Sequence, residues 1–140
     1  MDLVTSIANA IASMEGFFSA GSLAARNNNP GNLRSWGSTP VVGGYAQFAT
    51  LQDGWNALYS QITTNINRGL NLQEFFGGKP GVYAGYSPGA DKNDPAGYAQ
   101  YVAGQTGLDP TAPLNTIPGV TPPNPTKPPK APCKPRAGSI

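Results

Sequence analysis

Apolar residues recur at helical spacing near the start of the chain. Between residues 4 and 18 they are three or four positions apart, at Val4, Ile7, Ala8, Ile11, Met14 and Phe18. This spacing places them on one face of a helix. We therefore predict a first helix over residues 4–18, and its apolar face also contains Glu15.

Glu15 is one of only two glutamates in the 140 residues. Burying a carboxylate among apolar side chains costs several kcal/mol unless it is paired or protonated. Desolvation raises its pKa, as a general acid working near neutral pH requires. The alternative is an exposed residue at a fraying helix end, just before Gly16. Glu15 is thus the candidate catalytic acid.

The pattern changes after this helix. Residues 19–40 show no regular period, and residues 41–49 read as a β-hairpin around Gly43-Gly44. Three further helices are predicted, near 51–67, 71–76 and 95–106. Asn71 and Glu74 form a capping box, and Asp94-Pro95 is an N-cap followed by proline. The expected class is α+β, mostly helical, with one short β-hairpin.

The composition changes near Asp109. Ten prolines lie between residues 110 and 135, and large apolar residues are nearly absent after Val120. This composition favours an extended or disordered tail. We predict a folded domain over 1–109 and a Pro-rich basic tail over 110–140. The tail could tether the domain to a virion or cell-envelope protein, be drawn to an anionic surface, or contact nothing.

Charge and residue inventory exclude several function classes. Residues 1–109 hold five basic and seven acidic residues, so this part lacks the basic face that nucleic-acid binding requires. There is no histidine, and Cys133 is the single cysteine. A His/Cys metal site, a Ser-His-Asp triad and a Cys-His pair are therefore excluded, and we expect no metal or cofactor. Cys133 either pairs with another chain or is a free thiol.

The sequence also bears on location. The N-terminal residues Met-Asp-Leu-Val-Thr lack the basic region of a secretory signal peptide. No apolar run approaches the ~20 residues of a transmembrane helix. An extracellular substrate would therefore require another route of delivery.

Three segments carry polar and aromatic side chains suited to carbohydrate. Amides and guanidinium groups, which suit sugar hydroxyls, N-acetyl groups and carboxylates, cluster in residues 26–34 at Asn29, Asn32 and Arg34. The same residue types are also the common turn formers, so plain turn chemistry is the alternative.

The other two segments are the hairpin and a later loop. Alternation places Tyr45 and Gln47 on one face of the hairpin, and Phe48 on the core side. Tyr83 and Tyr86 lie in a Gly-containing loop, where they could stack on sugar rings or pack against the last helix. On that helix, at least one of Tyr98 and Tyr101 is expected in the core.

The order of these motifs resembles the lysozyme-like lytic transglycosylase superfamily, and within it the phage-associated branch. The resemblance spans roughly residues 5–108, and no single motif decides it. It rests on Glu15-Gly16, on Asn29 to Arg34 (NPGNLR), on Tyr45 to Thr50 (YAQFAT), on Asp53 to Leu58 (DGWNAL), and on a closing segment that includes Tyr86-Ser87-Pro88, Asn93-Asp94, Tyr98, Tyr101-Val102 and Gly107.

The resemblance implies a lysozyme-like fold and a peptidoglycan-cleaving enzyme, acting on the β-1,4 bond between N-acetylmuramic acid and N-acetylglucosamine. Glu15 matches the family's catalytic glutamate. Gln47 matches a substrate-contacting position on the β element, and Tyr86 matches the tyrosine near the cleft. The family's common Glu-Ser pair is Glu15-Gly16 here, so Ser19 or another hydroxyl would have to replace that serine.

The acidic inventory favours transglycosylase chemistry. Asp53 and Asp94 read as helix caps, so Glu15 would act alone, first as acid and then as base. One alternative is a muramidase of the same fold, in which Asp91 or an amide-held water supplies the base. A second alternative is a non-catalytic wall-binding or virion structural module. The expected partner is the peptidoglycan glycan strand, and the expected location is the virion or the bacterial cell wall and periplasm.

Overall fold

The computed structural model describes residues 2–87 and 94–116. This part of the chain is mostly helical with one two-stranded antiparallel hairpin, so the predicted α+β class is confirmed. The helices are α1 (Leu3–Met14), α2 (Leu23–Arg26), α3 (Leu51–Asn67), α4 (Leu72–Gly77) and α5 (Pro95–Thr106), followed by a 3-10 helix (Leu114–Thr116). The strands are β1 (Val41–Val42) and β2 (Tyr45–Ala46). Pro88, Asp91, Asn93, Cys133 and the tail from residue 117 lie outside the described residues.

The first helix is shorter than predicted. Asp2 caps it by accepting a hydrogen bond from the Thr5 backbone N–H, and Glu15 is its C-cap residue. Gly16 then adopts a left-handed φ of 77°, which ends the helix at low cost because glycine lacks a Cβ. The prediction that α1 reaches Phe18 is therefore wrong, and Phe18 is 64% exposed.

The later helices match their predicted ranges because local capping signals set their ends. Thr50 caps α3 by accepting from the Asp53 backbone N–H. Asn71 and Glu74 form both bonds of the capping box of α4. Asp94 caps α5, with proline in its first turn, and the helix ends at Gly107 in a left-handed conformation.

The hairpin is smaller than the predicted 41–49. Its strands pair Val41 with Ala46 and Val42 with Tyr45, and the two glycines between them have positive φ angles. Phe48, just beyond the second strand, is buried as expected. The segment 19–40, predicted as irregular, contains the short helix α2, which Ser22 caps through the Ala25 backbone N–H.

The core lies between the long helices. α1 packs against α3 and α5, and α4 packs against α5. The completely buried large side chains of this core include Ile7, Ile11, Leu58, Tyr59, Ile62, Phe75, Phe76 and Val102. A smaller cluster beneath the hairpin consists of Leu33, Ala46, Phe48 and Ala57. The two clusters fix the hairpin and its preceding turn beside the end of α1.

The packed structure extends beyond the predicted boundary at Asp109. Leu114 is fully buried, and its backbone N–H donates to the Leu70 carbonyl. The Pro110 carbonyl accepts from the Gln73 backbone N–H. The burial of Leu114 in the main core and these two backbone hydrogen bonds together hold the segment against the rest of the fold.

In the two described ranges, none of the helices has the length and apolar character needed to cross a bilayer.

Candidate active site

A cleft of about 330 Å³ opens beside the C-terminal end of α1. Glu15 lies in its lining. The remaining walls come from the turn after Asn32, from Tyr45 on the hairpin, from Gln61 on α3 and from the segment Tyr83 to Ser87. Regions that are far apart in the sequence thus meet around one carboxyl group.

Local backbone geometry places Glu15 at this cleft. Its own N–H closes the last turn of α1 by donating to the Ile11 carbonyl at 2.9 Å. Because the chain leaves the helix at Gly16, the Glu15 side chain is half-buried at the helix end instead of fully enclosed between helices. It is therefore shielded from bulk water and still open to the cleft.

Two side chains hold the Glu15 carboxyl group. The Tyr98 hydroxyl donates to Oε2 at 2.6 Å, and the Asn32 side-chain amide donates to Oε1 at 3.3 Å. Burial raises the pKa of Glu15 above its ordinary 4.5, and this effect exceeds the opposing influence of the bonds from Tyr98 and Asn32. The site favours a protonated carboxyl group while keeping donors ready for the carboxylate.

Tyr98 is a rigid donor. Its ring is 4% exposed and stacks on Phe76, with ring centroids 4.2 Å apart. Burial, reinforced by the neighbouring Tyr86 and Glu15, raises the pKa of the Tyr98 phenol far above its ordinary value. The hydroxyl therefore stays protonated and donates to Glu15 over the whole range in which proteins are stable.

Tyr86 connects the two walls of the cleft. Its hydroxyl donates a short hydrogen bond to the Gly31 carbonyl, and its ring packs against Phe75, Phe76 and Tyr98. Burial raises the pKa of this phenol well above its ordinary value. Tyr86 thus positions the turn that carries Asn32, in addition to lining the cleft.

Arg34 and Tyr45 stand together at the cleft. The Arg34 guanidinium carbon lies 5.6 Å from the centre of the Tyr45 ring, within the range of a cation–π contact. Arg34 is exposed and is the only basic residue in the lining. Within the described ranges it forms no ion pair with a carboxylate, so its charge is available to an anionic group.

Tyr83 lies in the wall formed by the later loop. Its hydroxyl oxygen accepts a hydrogen bond from the Gln61 side-chain amide at 3.2 Å. The Arg68 guanidinium carbon lies 4.9 Å from the ring centre, and burial raises the pKa of the phenol. The ring is therefore anchored, with one edge available at the cleft.

Asn29 is a predicted site residue that the structure uses elsewhere. It is fully buried, and its amide donates to the carbonyls of Leu33 and Ala46 while its oxygen accepts from the Leu33 N–H. The two bonds to Leu33 close the turn itself, and the bond to Ala46 ties the turn to β2. Asn29 is not in the cleft lining, and its hydrogen-bonding groups are already occupied by the backbone.

Gln47 lies away from Glu15. It lines a second cavity on the other side of the hairpin, and its amide donates to the Asn27 side chain at 3.4 Å. Burial still alternates as predicted, with Ala46 and Phe48 buried and Gln47 exposed, yet Tyr45 lines the cleft and Gln47 lines the second cavity. Ser19 is also absent from the cleft lining, where the serine hydroxyls come from Ser35 and Ser87.

Among the residues that the structure describes, Glu15 is the only acidic one that lines the cleft. The carboxylates of Asp2, Glu74, Asp94 and Asp109 accept backbone N–H groups at caps and turns, and Asp53 lines the second cavity. Among the described residues there is no cluster of acidic, histidine or cysteine side chains that could hold a metal ion. The described part of the lining therefore supplies one carboxyl group, Glu15, with its hydrogen-bond donors.

Sequence reasoning missed the contact between Tyr98 and Glu15. It placed one of Tyr98 and Tyr101 in the core, and Tyr98 is indeed buried. The three-residue spacing of the two tyrosines on α5 gives both of them access to the end of α1, where Tyr101 meets Ser13 at 2.8 Å. Only the packing of α1 on α5 decides which tyrosine meets the glutamate.

No protein-family model, curated protein or solved structure matches this chain.

Proposed function

We propose that this protein is a lytic transglycosylase with a lysozyme-like fold, cleaving the β-1,4 bond between N-acetylmuramic acid and N-acetylglucosamine in peptidoglycan. The observation that carries the proposal is Glu15: a half-buried carboxyl group with a raised pKa, alone in a cleft with amides, tyrosines and one arginine. The sequence motifs that resemble this superfamily are consistent with the proposal.

The first step needs a protonated Glu15. Its proton passes to the glycosidic oxygen, the bond from the sugar carbon C1 to that oxygen breaks, and the electron pair leaves with the oxygen. An oxocarbenium-like centre develops at C1. The raised pKa favours the protonated form of Glu15 that this step needs, and such general acid catalysis contributes about 10²–10⁴-fold.

The second step uses the same group as a base. The C6 hydroxyl of the muramic acid attacks C1 to close a 1,6-anhydro ring, and its proton returns to the Glu15 carboxylate. Hydrolytic glycosidases instead use a second carboxylate as nucleophile or base. Among the described residues no second carboxylate lines this cleft, and Asp91 lies outside them, so an internal hydroxyl is the nucleophile that the described lining favours. Tyr98 and Asn32 would stabilise the carboxylate between the two steps.

Arg34 would recognise the acidic part of the substrate. Muramic acid carries a lactyl group that ends in a carboxylate or a peptide stem, whereas N-acetylglucosamine is neutral. A guanidinium group held over Tyr45 without a carboxylate partner suits such an anion. Replacing Arg34 by Gln should raise KM for peptidoglycan glycan and leave kcat nearly unchanged.

Delivery to the cell wall is part of the proposal. The Pro-rich basic tail from residue 110 onward would tether the domain to a virion or cell-envelope protein, with the glycan strand as substrate. The composition of the tail is the support for this, because polyproline-like chains act as semi-rigid spacers.

The decisive experiment is mass spectrometry of muropeptides released from purified peptidoglycan. The wild-type protein should release anhydro products, lighter by one water than hydrolytic products. Glu15→Gln should release none, whereas Glu74→Gln should behave as wild type, because Glu74 belongs to the capping box of α4. Reducing-end products would make the protein a muramidase. Binding without products from the wild type would make it a wall-binding module.

A further inference from the structure

A second cavity of about 450 Å³ lies on the other side of the hairpin from Glu15. Its lining includes the indole of Trp36, the amides of Gln47 and Asn56, the carboxylate of Asp53, and the hydroxyls of Thr39 and Ser60. We refer to this cavity as the Trp36 groove. The proposed reaction uses none of its residues.

The groove and the cleft share their supporting segments. Ser35 lines the cleft, and the next residue, Trp36, lines the groove. On α3, Gln61 lines the cleft and its neighbour Ser60 lines the groove. The small cluster beneath the hairpin supports both, since Trp36 and Tyr86 each pack against it. The groove therefore adjoins the cleft on a rigid part of the fold, not on a separate lobe.

Hydrogen bonds within the protein orient two side-chain amides of the groove, those of Gln47 and Asn56. The Gln47 amide donates to Asn27, which leaves the Gln47 side-chain oxygen as an acceptor. The Asn56 side-chain oxygen accepts from Gln52 at 3.1 Å, which leaves the Asn56 amide as a donor. Trp36 is half-buried against the small cluster and lines the same groove, which therefore combines an aromatic side chain with one hydrogen-bond donor and one acceptor.

The charge of the groove indicates which sugar it suits. Among the described residues that line it, Asp53 is the only charged one, so this lining offers no cation to attract a carboxylate. The cleft has the opposite character, with Arg34 at its edge. A pyranose ring presents an apolar face to an aromatic ring and hydroxyls to amides and carboxylates. The groove thus fits a neutral sugar ring better than an acidic one.

We propose that the Trp36 groove is a second glycan-binding site that takes a neutral N-acetylglucosamine ring of the cell wall and holds the enzyme on its substrate. This inference rests on the proposed function for its choice of glycan. Binding at the groove nevertheless does not depend on cleavage, so the two proposals can fail separately.

The test uses the full-length Glu15→Gln protein, labelled with ¹⁵N, and the tetramer of N-acetylglucosamine as probe. The chain has two tryptophans, so its NMR spectrum has two indole N–H signals. Trp55 is 4% exposed inside the main core and serves as an internal reference. We expect the Trp36 signal to shift saturably with tetramer, and the Trp55 signal to stay in place.

Variants separate the groove from the cleft. Asn56→Ala removes one hydrogen-bonding group and keeps Trp36 as reporter, so it should weaken tetramer binding about three- to tenfold. Trp36→Ala should lower retention on purified peptidoglycan, whereas Phe18→Ala, an exposed aromatic residue that lines neither cavity, should not.

Three results would overturn the inference: an unmoved Trp36 signal at millimolar tetramer, equal affinity in Asn56→Ala, or a Trp36 shift caused by a lysine-containing stem peptide and not by tetramer. The last would assign the groove to the peptide, with Asp53 facing its ammonium group. A normal Trp36 shift combined with an inactive wild-type enzyme would support the groove and count against the proposed function alone.

Discussion

Replacing Tyr98 by Phe removes the hydroxyl that donates to Glu15 at 2.6 Å and keeps the ring that stacks on Phe76. The protonated carboxyl group loses little by this change, whereas the carboxylate loses a charge-assisted hydrogen bond. Since that bond lowers the pKa of Glu15, its removal should raise the pKa further.

The size of the effect follows from the strength of the bond. Hydrogen bonds to charged groups contribute about 1.5–3 kcal/mol, and one pKa unit corresponds to about 1.4 kcal/mol. The pKa of Glu15 should therefore rise by about one to two units in Tyr98→Phe. In the proposed mechanism, activity falls as Glu15 loses its proton, so the alkaline limb of kcat/KM should move to higher pH by the same amount.

Titration by NMR measures this pKa without relying on activity. Selective ¹³C labelling of the glutamate carboxyl carbons gives two signals, because Glu15 and Glu74 are the only glutamates. The Glu15 signal should titrate above the ordinary 4.5 in the wild type and higher still in Tyr98→Phe. The Glu74 signal, from the capping box of α4, should be the same in both proteins.

Tyr101→Phe is the matched control. Tyr101 lies on the same helix, and its hydroxyl meets Ser13 instead of Glu15. This variant should leave the titration of Glu15 unchanged. If Tyr98→Phe also leaves it unchanged, or lowers the pKa, then the hydroxyl does not bond the carboxylate in solution and the reasoning fails.

Three further changes test the scaffold. Glu15→Gln should unfold with the same free energy as the wild type well below pH 4.5, where Glu15 is protonated in the folded and unfolded chains. As the pH rises from there to the raised pKa of Glu15 in the folded protein, the variant should become the more stable of the two proteins. The gain should be about 1.4 kcal/mol for each pH unit between the pKa of Glu15 in the unfolded chain and its pKa in the folded protein. Denaturant melts at several pH values measure this difference, and a difference that does not change with pH would contradict the prediction. Asn29→Ala removes three hydrogen bonds to the backbone of Leu33 and Ala46, and of these groups the Leu33 carbonyl keeps the Ala46 N–H as a donor. The variant should therefore lose about 2 kcal/mol or more in chemical denaturation, and a loss under about 1 kcal/mol would refute the role of Asn29 in the turn. Gly31→Ala would place a Cβ 2.5 Å from the Tyr86 hydroxyl and 2.8 Å from Leu58, so its melting temperature should fall, by a cost of about 1–3 kcal/mol, whereas Gly104→Ala, which meets no atom within 4 Å, should not lower it.

Local signals in the sequence were sufficient for the helices whose caps are encoded by neighbouring residues. Asn71 with Glu74, and Asp94 with the following proline, fixed the starts of α4 and α5 because each cap bonds a backbone group three residues away. The end of α1 was misplaced because the apolar spacing of Met14 and Phe18 continues past Gly16. The left-handed φ of that glycine, which no apolar period reveals, stops the helix.

The candidate site was only partly predictable. Glu15 stood out because a carboxylate in an apolar pattern is costly, and its environment does raise its pKa. Asn29 and Asn32 look alike in the sequence, yet one is buried as a bridge to β2 and the other donates to Glu15. The turn directs the side-chain amides of Asn29 and Asn32 to different neighbours, and the role of each amide depends on which residues pack around it.

The sequence by itself determined the helix starts, the helical class and the identity of the unusual glutamate, since these depend on contacts between residues a few positions apart. Only the tertiary structure decided that Tyr98 and Asn32 hold that glutamate and that Gln47 belongs to a different cavity. The two contacts with Glu15 join residues 83 and 17 positions away from it, and the cavity that Gln47 lines also includes Asp53, Asn56 and Ser60 of α3. They arise when segments far apart in the sequence pack together, and the local spacing of apolar and polar residues does not predict that packing.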